Sequence, residues 1–165
     1  MARTLVLMRH AKSAYPEGVG DHDRPLSARG RRDAPVAGHV LAYVVPQVDL
    51  ALVSTATRAQ QTWALAADSL EVGQVKDVPE LYLASADAML RRIRDVTANS
   101  LLIVSHNPGT EILAEQLTRD TSSPMYRRMR TKFPTAAFAV LNCDLPFGKW
   151  GYGGAELVAF EKGRG

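Results

Sequence analysis

Three short apolar runs punctuate the first two thirds of the chain: Leu5 to Met8, Leu50 to Val53, and Leu101 to Val104. Each is continuous rather than alternating, which is how a strand buried on both faces reads, so the runs predict parallel strands inside a sheet covered on both sides. Helical spacing follows each one. Ser27 is a natural N-cap for a helix carrying Ala34, Ala37, Leu41, Val44 and Val45 on one stripe, although Pro35 and Gly38 weaken it. A second helix is predicted from about Arg58 to Leu70, with Ala59, Trp63, Ala66 and Leu70 aligned. A third starts at Ser85 and turns Met89, Leu90, Ile93 and Val96 inward. Asn107 and Pro108 open a fourth, as a cap followed by a proline whose missing N–H costs nothing in a first turn.

Beyond a polar, basic connection the pattern changes. Thr135 to Leu141 and Glu156 to Phe160 predict two further strands, separated by the turn-rich stretch Pro146 to Gly154, as an edge hairpin or a closing pair. No internal repeat, low-complexity tract or linker interrupts the alternation of strand and helix. The expectation is one α/β domain over residues 1–165, a three-layer α/β/α sandwich with a mostly parallel central sheet.

Composition changes this picture little. At 46% hydrophobic and 22% charged residues the chain can build an ordinary core. Leu5 to Met8 runs straight into Arg9, His10 and Lys12, so no signal peptide is expected, and no run is long enough for a membrane span. The single Cys143 excludes an internal disulfide, and cytoplasm is the expected location. The net charge of +3 and pI of about 9.2 favour an anionic partner, either phosphate or nucleic acid. The arginines are dispersed, in clusters around Arg31, Arg92 and Arg128, each in or beside a candidate helix where a solvated face explains them. RNP-like aromatic runs, paired Cys/His finger spacings and KH-type glycine loops are all missing, so nucleic acid is not an expected partner.

In a sheet of this kind ligands bind beyond the carboxyl ends of the strands. There the first strand delivers Arg9-His10-Ala11-Lys12-Ser13, the second Ser54-Thr55-Ala56-Thr57-Arg58, and the third Ser105-His106-Asn107-Pro108. Two histidines and two arginines on one rim suit phosphoryl transfer. Guanidinium forks hold the equatorial oxygens, and a neutral imidazole attacks phosphorus. Neighbouring arginines favour the neutral form of His10, and a hydrogen bond on its far nitrogen would choose the attacking one. His106 can donate to an oxygen whose charge grows in the transition state. The helix opening at Asn107 adds free N–H groups beside the same anion.

These stretches resemble the histidine phosphatase superfamily, and within it the small SixA-like phosphohistidine phosphatase branch. The resemblance runs through Leu7 to Ser13, Asp23-Arg24-Pro25-Leu26-Ser27 leading to Arg29-Gly30, and Ser54 through Arg58-Ala59-Gln60-Gln61-Thr62. It continues in Glu80-Leu81-Tyr82, Val104 to Gly109, and Pro134-Thr135-Ala136-Ala137. It implies a phosphoglycerate mutase-like fold without a large lid insertion, no metal or cofactor, phosphorylation of His10, and a phosphate pocket completed by Arg9, Arg58 and His106. Ala11 stands where many superfamily members have glycine, as is usual in this branch. Glu80 is the carboxylic acid that sequence order offers as proton donor, with a surface carboxylate as the other reading.

Among the remaining polar residues, Lys12 and Arg24 read as further phosphate contacts or as exposed charges beside a loop, and Ser13 as a substrate-binding residue that bonds its own loop rather than acting chemically. His22 and His39 read as loop and helix-surface residues, Trp63 as core, and Cys143 as a buried strand-end residue. Two imidazoles flanked by arginines repel a cation, so no metal is expected. The basic stretch Arg127 to Lys132 reads equally as a dock for an acidic protein surface and as a solvated connection. The expected substrate is a phosphorylated protein side chain, with phosphohistidine foremost because its leaving imidazole can already carry a proton. The alternatives are a broad small-molecule phosphomonoesterase, a mutase, and a module that binds phosphoproteins without turning them over.

Overall fold

The computed structural model describes residues 2–164. In chain order they form β1 (Arg3–Arg9), α1 (Ala28–Val44), β2 (Gln47–Ser54), α2 (Thr57–Ala66), β3 (Glu71–Val78) and α3 (Ala86–Arg94). There follow β4 (Ser100–Ser105), α4 (Gly109–Leu117), α5 (Pro124–Thr131), β5 (Ala137–Cys143) and β6 (Glu156–Lys162). The six strands make one sheet in the order β3-β2-β4-β1-β5-β6. Pairings from β3 across to β1 are parallel, and those of β5 with β1 and with β6 are antiparallel.

Alternation along the central strands divides the core in two. Leu5 and Leu7 of β1, with Leu101 and Ile103 of β4, face α3, α4 and α5, where Met89, Ile93, Leu113, Leu117 and Met129 cover them. Val6 and Met8, with Leu102 and Val104, face the opposite way onto Ala34, Ala37, Leu41 and Ala59 of α1 and α2. Helices on both faces explain why β1 and β4 read as unbroken apolar runs. Each fully buried leucine contributes roughly 1.5–3 kcal/mol of burial free energy. Among the described residues no helix is long and apolar enough to cross a membrane.

The predicted elements are present, with four differences. β3 has no apolar run, because it is an edge strand paired only with β2 and most of its side chains are exposed. The basic connection before β5 contains a helix, α5, capped by the Ser123 hydroxyl and burying only Tyr126 and Met129. α1 continues through Pro35, and Gly38 is required there: a Cβ would stand 2.2 Å from the Ala66 carbonyl oxygen, so this glycine lets α1 and α2 touch. α4 begins at Gly109 after a cis Asn107–Pro108 bond, so Pro108 holds the N-cap position, while Asn107 Oδ1 still accepts from the Glu111 N–H at 3.3 Å.

Candidate active site

Strand register brings the two predicted histidines together. Arg9 of β1 is paired with Ser105 of β4, so His10 and His106 leave neighbouring parallel strands side by side, with ring centroids 5.1 Å apart. β2 ends one strand further along at Ser54, whose Oγ lies 2.7 Å from His106 Nε2. The connection from β1 runs toward β2, while the chain leaving β4 crosses to β5 on the far side of β1. The cleft therefore opens where the direction of winding reverses. Its lining includes Arg9, His10, Lys12, Ser13, Arg24, Arg58, His106 and Asn107, all of them residues expected at a phosphate site.

Hydrogen bonds assign the proton on each ring. His10 Nδ1 lies 2.7 Å from the Ala11 carbonyl oxygen, which can only accept, so Nδ1 carries the proton and the lone pair is on Nε2. The Ser54 hydroxyl accepts from the Ala56 N–H at 3.3 Å and is free to donate to His106 Nε2. That leaves the proton of His106 on Nδ1, a buried atom with no partner among the described residues. Both rings are neutral at physiological pH. Burial, reinforced by His106, Arg58 and Arg9, holds the His10 pKa down to about 3 against the Ala11 hydrogen bond, which raises it. Burial and Arg58 lower that of His106 to about 4.

The backbone around His10 is held tightly. The Ala11 N–H donates to Thr62 Oγ1 at 2.9 Å, and the Thr62 hydroxyl donates in turn to the Arg58 carbonyl at 2.7 Å. On the next turn of chain the Lys12 carbonyl accepts from the Ser27 N–H at 2.8 Å. Gly30 sits so close that a Cβ would lie 2.1 Å from that same carbonyl oxygen. The start of α1 thus presses directly on the loop that follows His10. On the other side, the Ala136 N–H donates to the His10 carbonyl at 3.0 Å from a backbone with φ +62°, a conformation that costs a residue with a Cβ of order 1–3 kcal/mol.

The arginines are set by partners that leave part of each guanidinium free. Arg9 gives one N–H to the Phe133 carbonyl at 3.0 Å, an oxygen that Asn107 Nδ2 also reaches at 3.0 Å. Arg58 is 3% exposed and spends its two Nη atoms on Asp21, on the main-chain oxygen at 2.7 Å and the carboxylate at 3.1 Å. Arg24 reaches the Ser13 hydroxyl at 2.7 Å, and its Nε meets Asp21 Oδ1 at 3.1 Å. Four buried side-chain nitrogens lack a partner among the described residues, and three of them, Arg9 Nε, Arg58 Nε and His106 Nδ1, belong to this cleft. Arg9, Lys12, Arg24 and Arg58 line the cleft together with the Asp21 carboxylate, an excess of positive charge that suits an anionic ligand.

Asp21 and Tyr82 are functional candidates that sequence reasoning missed. The Tyr82 hydroxyl donates to Asp21 Oδ2, and this bond, with those from Arg58 and Arg24, holds the Asp21 carboxyl well below the usual carboxylate range. Asp21 lies two residues before the Asp23-Arg24-Pro25 motif, and only its convergence with Arg58 and Tyr82 marks it. His22 stands beside it in the same loop, bonded to Thr55 Oγ1 at 2.9 Å and edge-on to the Tyr82 ring.

Of the two readings of Glu80, proton donor and surface carboxylate, its placement fits the second. It is exposed on a single helical turn, Pro79–Leu81, and does not line the cleft, because that turn buries Leu81 and offers the Leu81 carbonyl to Ser105 Oγ at 3.0 Å. His39 is on the surface of α1, Trp63 is only half-buried against the α1 layer, and Cys143 is half-buried at the end of β5. Among the described residues no three His, Cys, Asp or Glu side chains are grouped as a metal site would require.

Comparison with known proteins agrees with this geometry. Residues 5–83 match the family described as the histidine phosphatase superfamily (branch 1). A solved structure from Nakamurella multipartitia, assigned as a phosphohistidine phosphatase SixA, superposes with a TM-score of 0.86 at 36% identity, over 98% of this chain and 96% of that one. The uncharacterized protein Rv1276c of Mycobacterium tuberculosis is 42% identical over 93% of this chain and 98% of its own. The phosphohistidine phosphatase SixA of Escherichia coli is 27% identical over 85% of each chain.

Proposed function

Because the chain belongs to the histidine phosphatase superfamily, in its SixA-like branch, we propose that it hydrolyses phosphohistidine on a protein side chain through a phosphohistidine intermediate on His10. In the first step the Nε2 lone pair of His10 attacks phosphorus in line. The bond to the leaving imidazole breaks, its electron pair goes to the departing nitrogen, and the ring, already protonated on its other nitrogen, leaves as a neutral imidazole. In the second step water attacks the phosphorus, His10 Nε2 leaves, and inorganic phosphate is released. Through both steps the equatorial oxygens are held by the guanidinium groups of Arg9 and Arg58, with His106 beside them.

The observation that carries the substrate class is the state of the one carboxyl lining the cleft. Asp21 is clamped in its ionised form by Tyr82, Arg58 and Arg24, so it has no proton to give, and Glu80 lies outside. A neutral His106 is a weak acid. Alkoxide leaving groups need a proton in the transition state, whereas a phosphorylated imidazole departs readily without strong acid catalysis. The cleft, of about 250 Å³ and open to solvent, leaves room for a side chain projecting from another protein.

Turnover of a phosphohistidine peptide, p-nitrophenyl phosphate, an alkyl phosphate and phosphoglycerate separates the readings. The expected order of kcat/KM is phosphohistidine first, the activated aryl ester next, and the alkyl phosphates far behind. An alkyl phosphate turned over as fast as the phosphohistidine peptide would make the protein a general phosphomonoesterase. Isomerisation of phosphoglycerate would make it a mutase, and binding without turnover of any of the four would make it a phosphoprotein reader.

A further inference from the structure

A second concavity, larger than the catalytic cleft, lies on the far side of one stretch of chain. A groove of about 530 Å³, roughly twice the cleft's volume, runs between the end of α5 and β6. Pro134 and the Phe160 ring contribute its apolar floor, while Arg128, Lys132 and Lys162 supply three positive charges against the single carboxylate of Glu161. The Arg128 guanidinium is fixed in place by the Phe160 carbonyl at 2.8 Å and stands 5.7 Å over the Phe160 ring. Lys132 and Lys162 are exposed, and neither is in an ion pair among the described residues.

One stretch of chain separates this groove from the chemistry. Pro134 lines the groove and Thr135, the next residue, lines the catalytic cleft. The Phe133 carbonyl just before them is held from the cleft side by Arg9 and Asn107. A polypeptide lying in the groove can therefore pass directly over the shared wall to His10. We infer that this groove docks an acidic stretch of the phosphorylated protein substrate, on the premise of the phosphatase reading above. The unpaired lysines choose acidic chain over neutral chain, and the apolar floor takes the aliphatic parts of the same segment.

The test uses two synthetic phosphohistidine peptides that differ only in a tract of glutamates or serines. The tract is placed about four to eight residues from the phosphohistidine, since an extended chain spans roughly 3.3–3.6 Å per residue. On the native enzyme the glutamate peptide should show a KM about tenfold lower at low salt, with the two kcat values alike. The K132E/K162E double variant should lose that preference while its kinetics with the serine peptide stay as they were. K132Q/K162Q should fall between. Equal KM values for the two peptides, or a preference that survives charge reversal, would overturn the proposal.

Anisotropy of a fluorescent, unphosphorylated glutamate-tract peptide reads the groove without any catalysis. Binding that disappears in the double variant supports the docking site even if phosphohistidine is never hydrolysed, in which case the phosphatase reading fails by itself. Lysine-dependent binding of a single-stranded oligonucleotide, with none of the glutamate peptide, would assign the groove to nucleic acid and overturn the inference.

Discussion

The floor of the cleft and its rim are built by opposite rules. His10, Ser54, Arg58 and His106 form the floor, are almost wholly buried, and stand at or just beyond the ends of hydrogen-bonded strands. His10, Ser54 and His106 owe their positions to sheet register, and Arg58 to the first turn of α2 just after β2. Lys12, Tyr15, Asp21, Arg24 and Leu83 make the rim, on loops that are largely exposed and joined across the opening by ion pairs and by hydrogen bonds to Tyr82 and Ser13. The two imidazoles are thus preorganised by the core, whereas the Arg58 guanidinium is aimed by a carboxylate in a surface loop. Damage to the floor should appear in kcat, and damage to the rim chiefly in KM.

The sharpest division comes from His10→Ala, which should lower phosphohistidine turnover by a factor on the order of 10⁴ or more and abolish acid-labile, base-stable label on the protein. Unchanged circular dichroism would show that the loss is chemical. Ser54→Ala removes the hydroxyl that places the proton of His106. Its expected effect is a fall in kcat on the order of a hundredfold with KM little moved, and a change confined to KM would remove Ser54 from the floor.

Asp21→Asn is the matching probe of the rim. Without the charge that orients Arg58 and Arg24, KM for the phosphohistidine peptide should rise about tenfold while kcat stays within about threefold. Tyr82→Phe should act in the same direction and less. An Asp21→Asn variant that lost kcat alone would join the rim to the floor.

Acid titration checks the state of the imidazoles. Both folded pKa values lie below the ordinary 6.5, at about 3 for His10 and about 4 for His106. Between those values and 6.5 the unfolded chain binds protons that the folded one refuses. The stability tied to these rings is therefore full above pH 6.5 and drains away as pH falls toward 3. Thermal melts between pH 7 and 4 should show this loss reduced in His10→Ala, while kcat/KM on the native enzyme should have no acid limb near 6.5. Glu80→Gln completes the series with an effect under about twofold.

Much of the floor was legible in the sequence. Arg9-His10, Ser54 to Arg58 and Ser105-His106 each follow an apolar run, and local pattern suffices to place them at strand ends. The rim was illegible for a physical reason. Asp21 and Tyr82 are 61 residues apart and meet only because two loops converge, and nothing in the polarity of either stretch encodes that meeting. Glu80 had two readings because sequence order fixes a turn but not which of its side chains faces inward, and here Leu81 took the buried position. The edge strand β3 escaped because exposed strands need no apolar run. Continuous hydrophobicity announces the sheet's interior and is silent about its borders.

β1 serves both core layers at once and ends at Arg9, one residue before His10. A lost methylene at Leu7 loosens one layer and at Met8 the other, yet either slack is transmitted along the same short rod to the same nitrogen. Mutational drift in this segment is then judged twice, by folding and by chemistry, and few replacements can satisfy both. The polar border strand faces neither judge, and variation between related chains should collect there.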